Sequence, residues 1–202
     1  MTDDLTLTAD ADDHVVRYAQ RPRPFSHEVT WRLEPDAFVV ENGRKALRIA
    51  YGKVATIRLT YRPANVTSQG YRAVLVLSDG RTVAVSNLSW KTYVEVERQD
   101  AAYRLLLAEL VTRCGRANPG LICRTGQPAP VWAASAVGGI AMLAIFAGAA
   151  VWALWRGSWP LAAIALMFLL PFVWQAHAMI TKNRPGAFAP DRLPEAVLPP
   201  SG

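Results

Sequence analysis

The stretch ALWRGSWPLA, Ala153 to Ala162, interrupts the least charged part of a 202-residue chain. No Lys, Arg, Asp or Glu lies between Arg124 and Arg156, and none between Arg156 and Lys182. On its two sides run VWAASAVGGIAMLAIFAGAAVWALW, residues 131–155, and LAAIALMFLLPFVWQAHAMI, residues 161–180. A helix needs about 20 apolar residues to cross the roughly 30 Å hydrocarbon layer of a membrane, and both runs reach that length. RGSWP leaves room only for a turn, with Gly157 ending one helix and Pro160 starting the next. The pattern predicts a transmembrane hairpin over 131–180.

Basic residues set the expected orientation. Arg113, Arg116 and Arg124 precede the first run, Lys182, Arg184 and Arg192 follow the second, and the turn holds Arg156 alone. The positive-inside rule then puts the turn outside and both termini in the cytoplasm. Trp152, Trp155 and Trp159 fit an outer aromatic belt, and Trp132 and Trp174 an inner one.

In the first run Ala134, Gly138, Ala141, Ala144 and Gly148 recur at spacings of 3 and 4, which is one helical face. Small faces let membrane helices approach closely, so this face is expected to pack on the second helix or on a partner protein. The second run carries Pro171, Gln175 and His177. His177 lies three residues from Ile180, within reach of the inner headgroup zone, and neither run offers a second histidine for a bis-histidine haem site.

The rest of the chain has a different chemistry. The first 14 residues, MTDDLTLTADADDH, hold five Asp and no Lys or Arg, a composition expected to stay disordered. RPRPF, residues 21–25, is expected to continue as an extended lead-in. Residues 15–124 hold 18 basic and nine acidic side chains, a net +9.

From residue 27 the apolar residues alternate, the signature of half-buried strands. EVTWRLE places Val29, Trp31 and Leu33 on one side. AFVVE runs into Asn42-Gly43, a hairpin signal. ALRIAY and TIRLTYR put Leu47, Ile49, Ile57, Leu59 and Tyr61 inward. YRAVLVL and TVAVS flank Asp79-Gly80, and KTYVEVE offers a further strand. From Asp100, an N-cap residue type, Tyr103, Leu106, Leu107, Leu110 and Val111 recur at helical spacing.

Six or seven short antiparallel strands closed by one helix, over roughly residues 27–113, resemble the pleckstrin-homology-like barrel that bacteria carry in many small membrane proteins. WRLEPDAFVVENG and RIAYGKVATIRL carry the resemblance. It implies an α+β fold, a small antiparallel barrel with a C-terminal helix, at the bacterial inner membrane. The eukaryotic lipid-binding pattern, basic residues around the first hairpin, is missing, since LEPDA offers Glu34 and Asp36. Phosphoinositide recognition is therefore not carried over.

Arg48, Arg58 and Arg72 take outward positions on three consecutive strands, beside Arg44, Lys45 and Lys53. Joined into one stripe, they would attract an anionic leaflet; left apart, they form a solvated face. The aromatics point inward, which leaves no stacking platform for nucleic acid. No GxSxG, phosphate-binding glycine loop, HExxH or CxxC occurs, so no catalysis, cofactor or metal is expected. Cys114 and Cys123 would stay reduced in the cytoplasm and could join only in an oxidising compartment. Asn65-Val66-Thr67 matches a glycosylation acceptor that a cytoplasmic side would leave unused.

The expected organisation is an acidic tip and lead-in (1–26), the barrel (27–113), a linker (114–130), the hairpin and a Pro-rich tail (181–202) that docks or hangs free. The function this implies is a non-enzymatic membrane protein presenting a basic module to lipid, or an accessory subunit of a membrane complex. Membrane lipids and a membrane-protein partner or second copy are the expected partners.

Overall fold

The computed structural model describes residues 15–63, 69–93 and 95–200. The acidic tip, the Asn65-Val66-Thr67 acceptor and Val94 of KTYVEVE lie outside the described residues. The chain divides into two units: Met1–Thr125 with Gly186–Gly202, and Gly126–Pro185.

The first unit is α+β. Its first sheet is a meander of β1 (Val16–Gln20), β2 (Val29–Leu33), β3 (Ala37–Asn42) and β4 (Lys45–Ala50), each antiparallel to the next. Strand β1 corrects the expectation that the chain only approaches the fold before residue 27. It pairs Tyr18 with Trp31 and buries Tyr18 and Gln20. Residues 21–26 form a turn instead of an extended lead-in, closed by Ser26 Oγ, which donates to the Arg23 carbonyl at 2.9 Å. Between β3 and β4, Gly43 has φ 58 at the first position of a two-residue loop, as glycine-first hairpin turns require.

The second sheet has the order β11-β10-β5-β6-β7. Its meander of β5 (Val54–Tyr61), β6 (Tyr71–Leu77) and β7 (Thr82–Ser86) follows the alternation in the sequence, with Ile57, Leu59, Tyr61, Tyr71, Ala73, Leu75 and Leu77 buried. Two further strands arrive late in the chain. β10 (Ile122–Thr125) lies parallel to β5, and β11 (Gly186–Ala187) pairs with β10. The segment expected as a linker thus holds the last turn of a helix and a strand. Of KTYVEVE the described residues contribute to β9 (Val96–Arg98), paired with β8 (Leu88–Trp90).

Among the described residues the strands form separate sheets, without a closed hydrogen-bonded barrel, and side chains of β1 bridge to β7. Tyr18 Oη donates to the Ser86 carbonyl at 2.5 Å, and the Ser86 amide donates to Gln20 Oε1 at 2.8 Å. Between the sheets lies an aromatic core in which Trp31 stacks on Phe38 with centroids 5.8 Å apart. Helix α1 (Asp100–Ala117) adds Tyr103, Leu106, Leu107, Leu110 and Val111 to the buried set, as the helical spacing predicts, and Cys114 beyond it. Its N-cap is Gln99, not Asp100. The Asp100 carboxylate instead accepts from Asn87 Nδ2 at 2.6 Å and pairs with Arg98.

The Pro-rich tail is docked. Phe188 donates its amide to the Cys123 carbonyl, Pro190 lies against Gly115, and Glu195 takes two hydrogen bonds from Arg104 at 2.7 and 2.8 Å. Val197 and Leu198 are buried.

The second unit is a pair of helices, α2 (Ala129–Trp155) and α3 (Trp159–Lys182), longer at their ends than the apolar runs. Both are long and apolar enough to cross a membrane; at 1.5 Å per residue they extend about 40 and 36 Å. Gly157, with φ 69, turns the chain between them, and Pro160 stands in the first turn of α3. At the other end Trp132 Nε1 donates to the Ile180 carbonyl at 2.9 Å.

Candidate functional site: the basic face of the second sheet

Sheet neighbours decide which arginines meet. Arg48 stands on β4, in the first sheet, while Arg58 and Arg72 stand on β5 and β6, in the second. The expected Arg48–Arg58–Arg72 stripe therefore does not assemble. Arg48 is committed locally instead. Its Nε donates to Glu34 Oε2 at 3.1 Å, and Arg32 reaches the other Glu34 oxygen at 3.1 Å. Val39 pairs with both Arg32 and Arg48 in the strand register and is 5 % exposed, so the two arginine stems shelter an apolar residue while Glu34 neutralises their heads.

The place expected for Arg48 is taken by Arg124. On β10 it lies opposite Arg58, and Cys123 and Ile57 beside them are both buried, so the two arginines share the outer face. Arg58 is opposite Val74 and Arg72 opposite Thr60, which makes Arg58 and Arg72 diagonal neighbours, about 7–8 Å apart at the backbone. The stripe that does form is Arg124–Arg58–Arg72 across β10, β5 and β6. Burial and then the Arg124 charge hold the Arg58 guanidinium below the ordinary arginine range, and burial and then Arg62 and Arg23 do the same to Arg72. Ile122, Val74 and Val76 occupy the same face, so it mixes cations with aliphatic groups.

The other expected basic residues lie elsewhere. Arg44 and Lys45 are exposed at the β3–β4 turn. Lys53 is exposed and close enough to Asp79 to help hold its carboxyl below the usual range, behind the larger contribution of Arg81 hydrogen bonds. Arg21, Arg23 and Arg62 sit in turns at the strand ends and carry no periodic signal in the sequence; only the fold brings Arg23 and Arg62 to Arg72.

A cleft of about 590 Å³ opens at the C-terminal half of α1, lined by Tyr51, Asp36, Glu109, Arg113 and Arg116 among others. Its charges compensate. Arg113 donates to Glu109 at 2.7 Å and to the Glu34 carbonyl at 2.7 Å. Among the described residues no group of three His, Cys, Asp or Glu could hold a metal ion, and His177 is exposed on α3.

On α2 the predicted small face is not the one that meets α3. The least exposed residues are Trp132, Ala136, Gly139, Leu143, Phe146, Ala150 and Ala153, and a Cβ on Gly139 would lie 3.9 Å from Ile180. Ala134, Gly138, Ala141, Ala144 and Gly148 are all exposed, and Gly138 and Gly148 have nothing within 4 Å of a Cβ position. The packing face includes Leu143 and Phe146, which fill the space small residues would leave open, and Phe146 meets Phe172 with ring centroids 6.0 Å apart.

No protein-family model matches the chain, and no curated protein or solved structure does either.

Proposed function

We propose that this chain is a non-enzymatic module anchored in a bacterial inner membrane by the α2–α3 hairpin, with both termini in the cytoplasm and the outer face of the second sheet turned to anionic lipid. The pleckstrin-homology-like resemblance is part of this reading, supported by a four-stranded and a three-stranded meander followed by one helix. The observation that carries the function is the Arg124–Arg58–Arg72 stripe, whose first member stands five residues before α2. A basic residue close to an anionic leaflet contributes about 1 kcal/mol, so three would shift association by roughly two orders of magnitude.

The test uses the full chain in nanodiscs, with a polarity-sensitive dye on Thr82→Cys, an exposed position of the same face. The dye should shift to the blue in phosphatidylglycerol discs relative to phosphatidylcholine discs, and salt should reverse the shift. Changing Arg58, Arg72 and Arg124 to Glu together should remove it, with far-UV circular dichroism unchanged. A wild-type signal indifferent to lipid charge at low salt would reduce the stripe to a solvated face.

A second reading, an accessory subunit of a membrane complex, is favoured by the uncovered small face of α2. Here Gly148→Leu should leave the hairpin intact and shrink the detergent-solubilised particle by its missing partner. An unchanged particle would assign that face to lipid.

A further inference from the structure

The second unit contains a groove of its own. A cavity of about 280 Å³ opens between α2 and α3, at the end where Trp132 Nε1 donates to the Ile180 carbonyl. Two consecutive glycines, Gly138 and Gly139, put no side chain into it from α2, and Phe172, Gln175 and Ala176 border it from α3. A Cβ on Gly138 would meet nothing within 4 Å, so the space beside it is open. None of the lining residues is charged. The groove is nevertheless not apolar throughout. The side chains of Gln127 and Gln175 both line it, and among the described residues neither amide donates a hydrogen bond. Gln175 stands seven residues inside Lys182, about 10 Å along the helix. In a hairpin that spans a membrane, an amide at that depth finds no water and is costly to leave unpaired. Its acceptor has to come from a molecule dissolved in the lipid.

The spacing of the two amides narrows the ligand. Ser135 Oγ lies 3.5 Å from Gln127 Oε1, which holds that amide near the level of Ser135. A Cβ on Gly139 would lie 4.0 Å from the Ala176 Cβ, so Gly139 is level with the neighbour of Gln175. Four residues separate Ser135 from Gly139, about 6 Å along the axis. The two donors thus enter the groove one above the other, at about the breadth of a six-membered ring with an oxygen at each end. Met142, Met179 and the rings of Trp132 and Phe172 give it the polarizable and aromatic walls that suit such a ring. The volume, about 280 Å³, stands at the low end of the roughly 300–1,000 Å³ of small-molecule sites and takes one ring. A phospholipid fits less well, because its ester carbonyls lie at one depth and its phosphate would find no cation in the lining.

We propose that the groove between α2 and α3 binds an uncharged, membrane-dissolved ring of the para-quinone class, whose two carbonyl oxygens accept from the Gln127 and Gln175 amides. The inference rests on the proposed function only for the hairpin's place in a membrane. It needs neither the basic stripe nor the orientation of the second sheet.

The probe is decylubiquinone, added by mole fraction of lipid to the full chain in phosphatidylcholine nanodiscs and read by quenching of tryptophan fluorescence. Collisions within the bilayer quench in proportion to the quinone present, whereas occupancy of the groove beside Trp132 adds a saturable part. That saturable part is the expected result. Gly138→Leu fills the open space and should abolish it without lowering thermal stability, while Gly148→Leu, equally free of neighbours, should retain it. Gln175→Leu should weaken binding about three- to tenfold, the worth of one neutral hydrogen bond; if that variant folds poorly, the contrast between the two glycines still decides. Decylbenzene, a ring and chain without carbonyls, and dioctanoylglycerol, with ester carbonyls but no ring, should both fail to displace the quinone. Absence of a saturable part would overturn the proposal, and so would one that survives Gly138→Leu. Displacement by decylbenzene would reduce the groove to an apolar slot, and displacement by dioctanoylglycerol would give it to acyl lipid; either result overturns the quinone assignment. Co-elution of the chain with the discs reports on the anchor separately. A chain that co-elutes without saturating refutes the groove alone, and one that does not co-elute refutes the membrane reading with it.

Discussion

Cys114 and Cys123 show how position controls the chemistry of a side chain. Cys114 closes the buried face of α1, and Cys123 points inward from β10. Burial, with a smaller contribution from Cys123, pushes the Cys114 thiol up to about 12, and burial alone pushes Cys123 up to about 11. The thiolate is the nucleophile, and at pH 8 it would make up roughly one part in ten thousand of Cys114 and one in a thousand of Cys123. Iodoacetamide at pH 8 should therefore leave both unmodified in the folded protein and modify both after denaturation, with Cys123 reacting first as pH rises. Rapid labelling of native Cys114 would contradict its placement. Single residues were unevenly legible in the sequence. The inward residues of α1 follow directly from helical spacing, but Asp100, a typical cap by type, is drawn away to Asn87 and Arg98. Glu34, which in LEPDA marks only a missing basic patch, is the counterion that Arg48 finds on the first sheet.

Elements with long periodic patterns were legible, and short ones were not. β2 and β6 alternate over five and seven residues. β10 has four residues, β11 has two, and β1 buries a glutamine, so none offers an apolar pattern to recognise. Those strands determine the site, because sequence order cannot reveal that β10 lies beside β5 while β4 does not. The helices teach a related lesson. A stripe of small residues marks a surface available for close approach, yet α3 chose the opposite side, where Leu143 and Phe146 provide more apolar contact area. Gly139→Leu should consequently cost the hairpin on the order of 1–3 kcal/mol through overpacking against Ala176 and Ile180. Gly148→Leu should cost the isolated hairpin almost nothing, since a Cβ there meets no atom within 4 Å. Thermal unfolding of both variants in detergent would check the contrast, and equal losses would reverse the assignment of faces.

At the scale of the whole molecule, the hairpin is an insertion in the first unit. The chain leaves that unit at Thr125 and returns at Gly186, and these two residues are antiparallel partners. Replacing residues 126–185 by a two-residue Asn-Gly turn should join β10 to β11 as an ordinary hairpin and give a water-soluble, cooperatively unfolding protein. Truncation after residue 118 would instead remove both strands and the docked tail, and should lower the melting temperature or abolish folding. If the truncated form matched the joined form in stability, β10, β11 and the tail would be ornaments. The Arg104–Glu195 clamp has a further consequence in time. Its partners are 91 residues apart in the chain, and a ribosome adding about 5–20 residues per second needs roughly 5–18 s to supply the second after the first. For most of that interval α1 is complete but the Glu195 segment is not, while both apolar helices emerge and must find their surroundings. The first unit can therefore fasten the Arg104–Glu195 clamp only after the hairpin has been synthesised, so the clamp reports that the chain has passed both apolar helices.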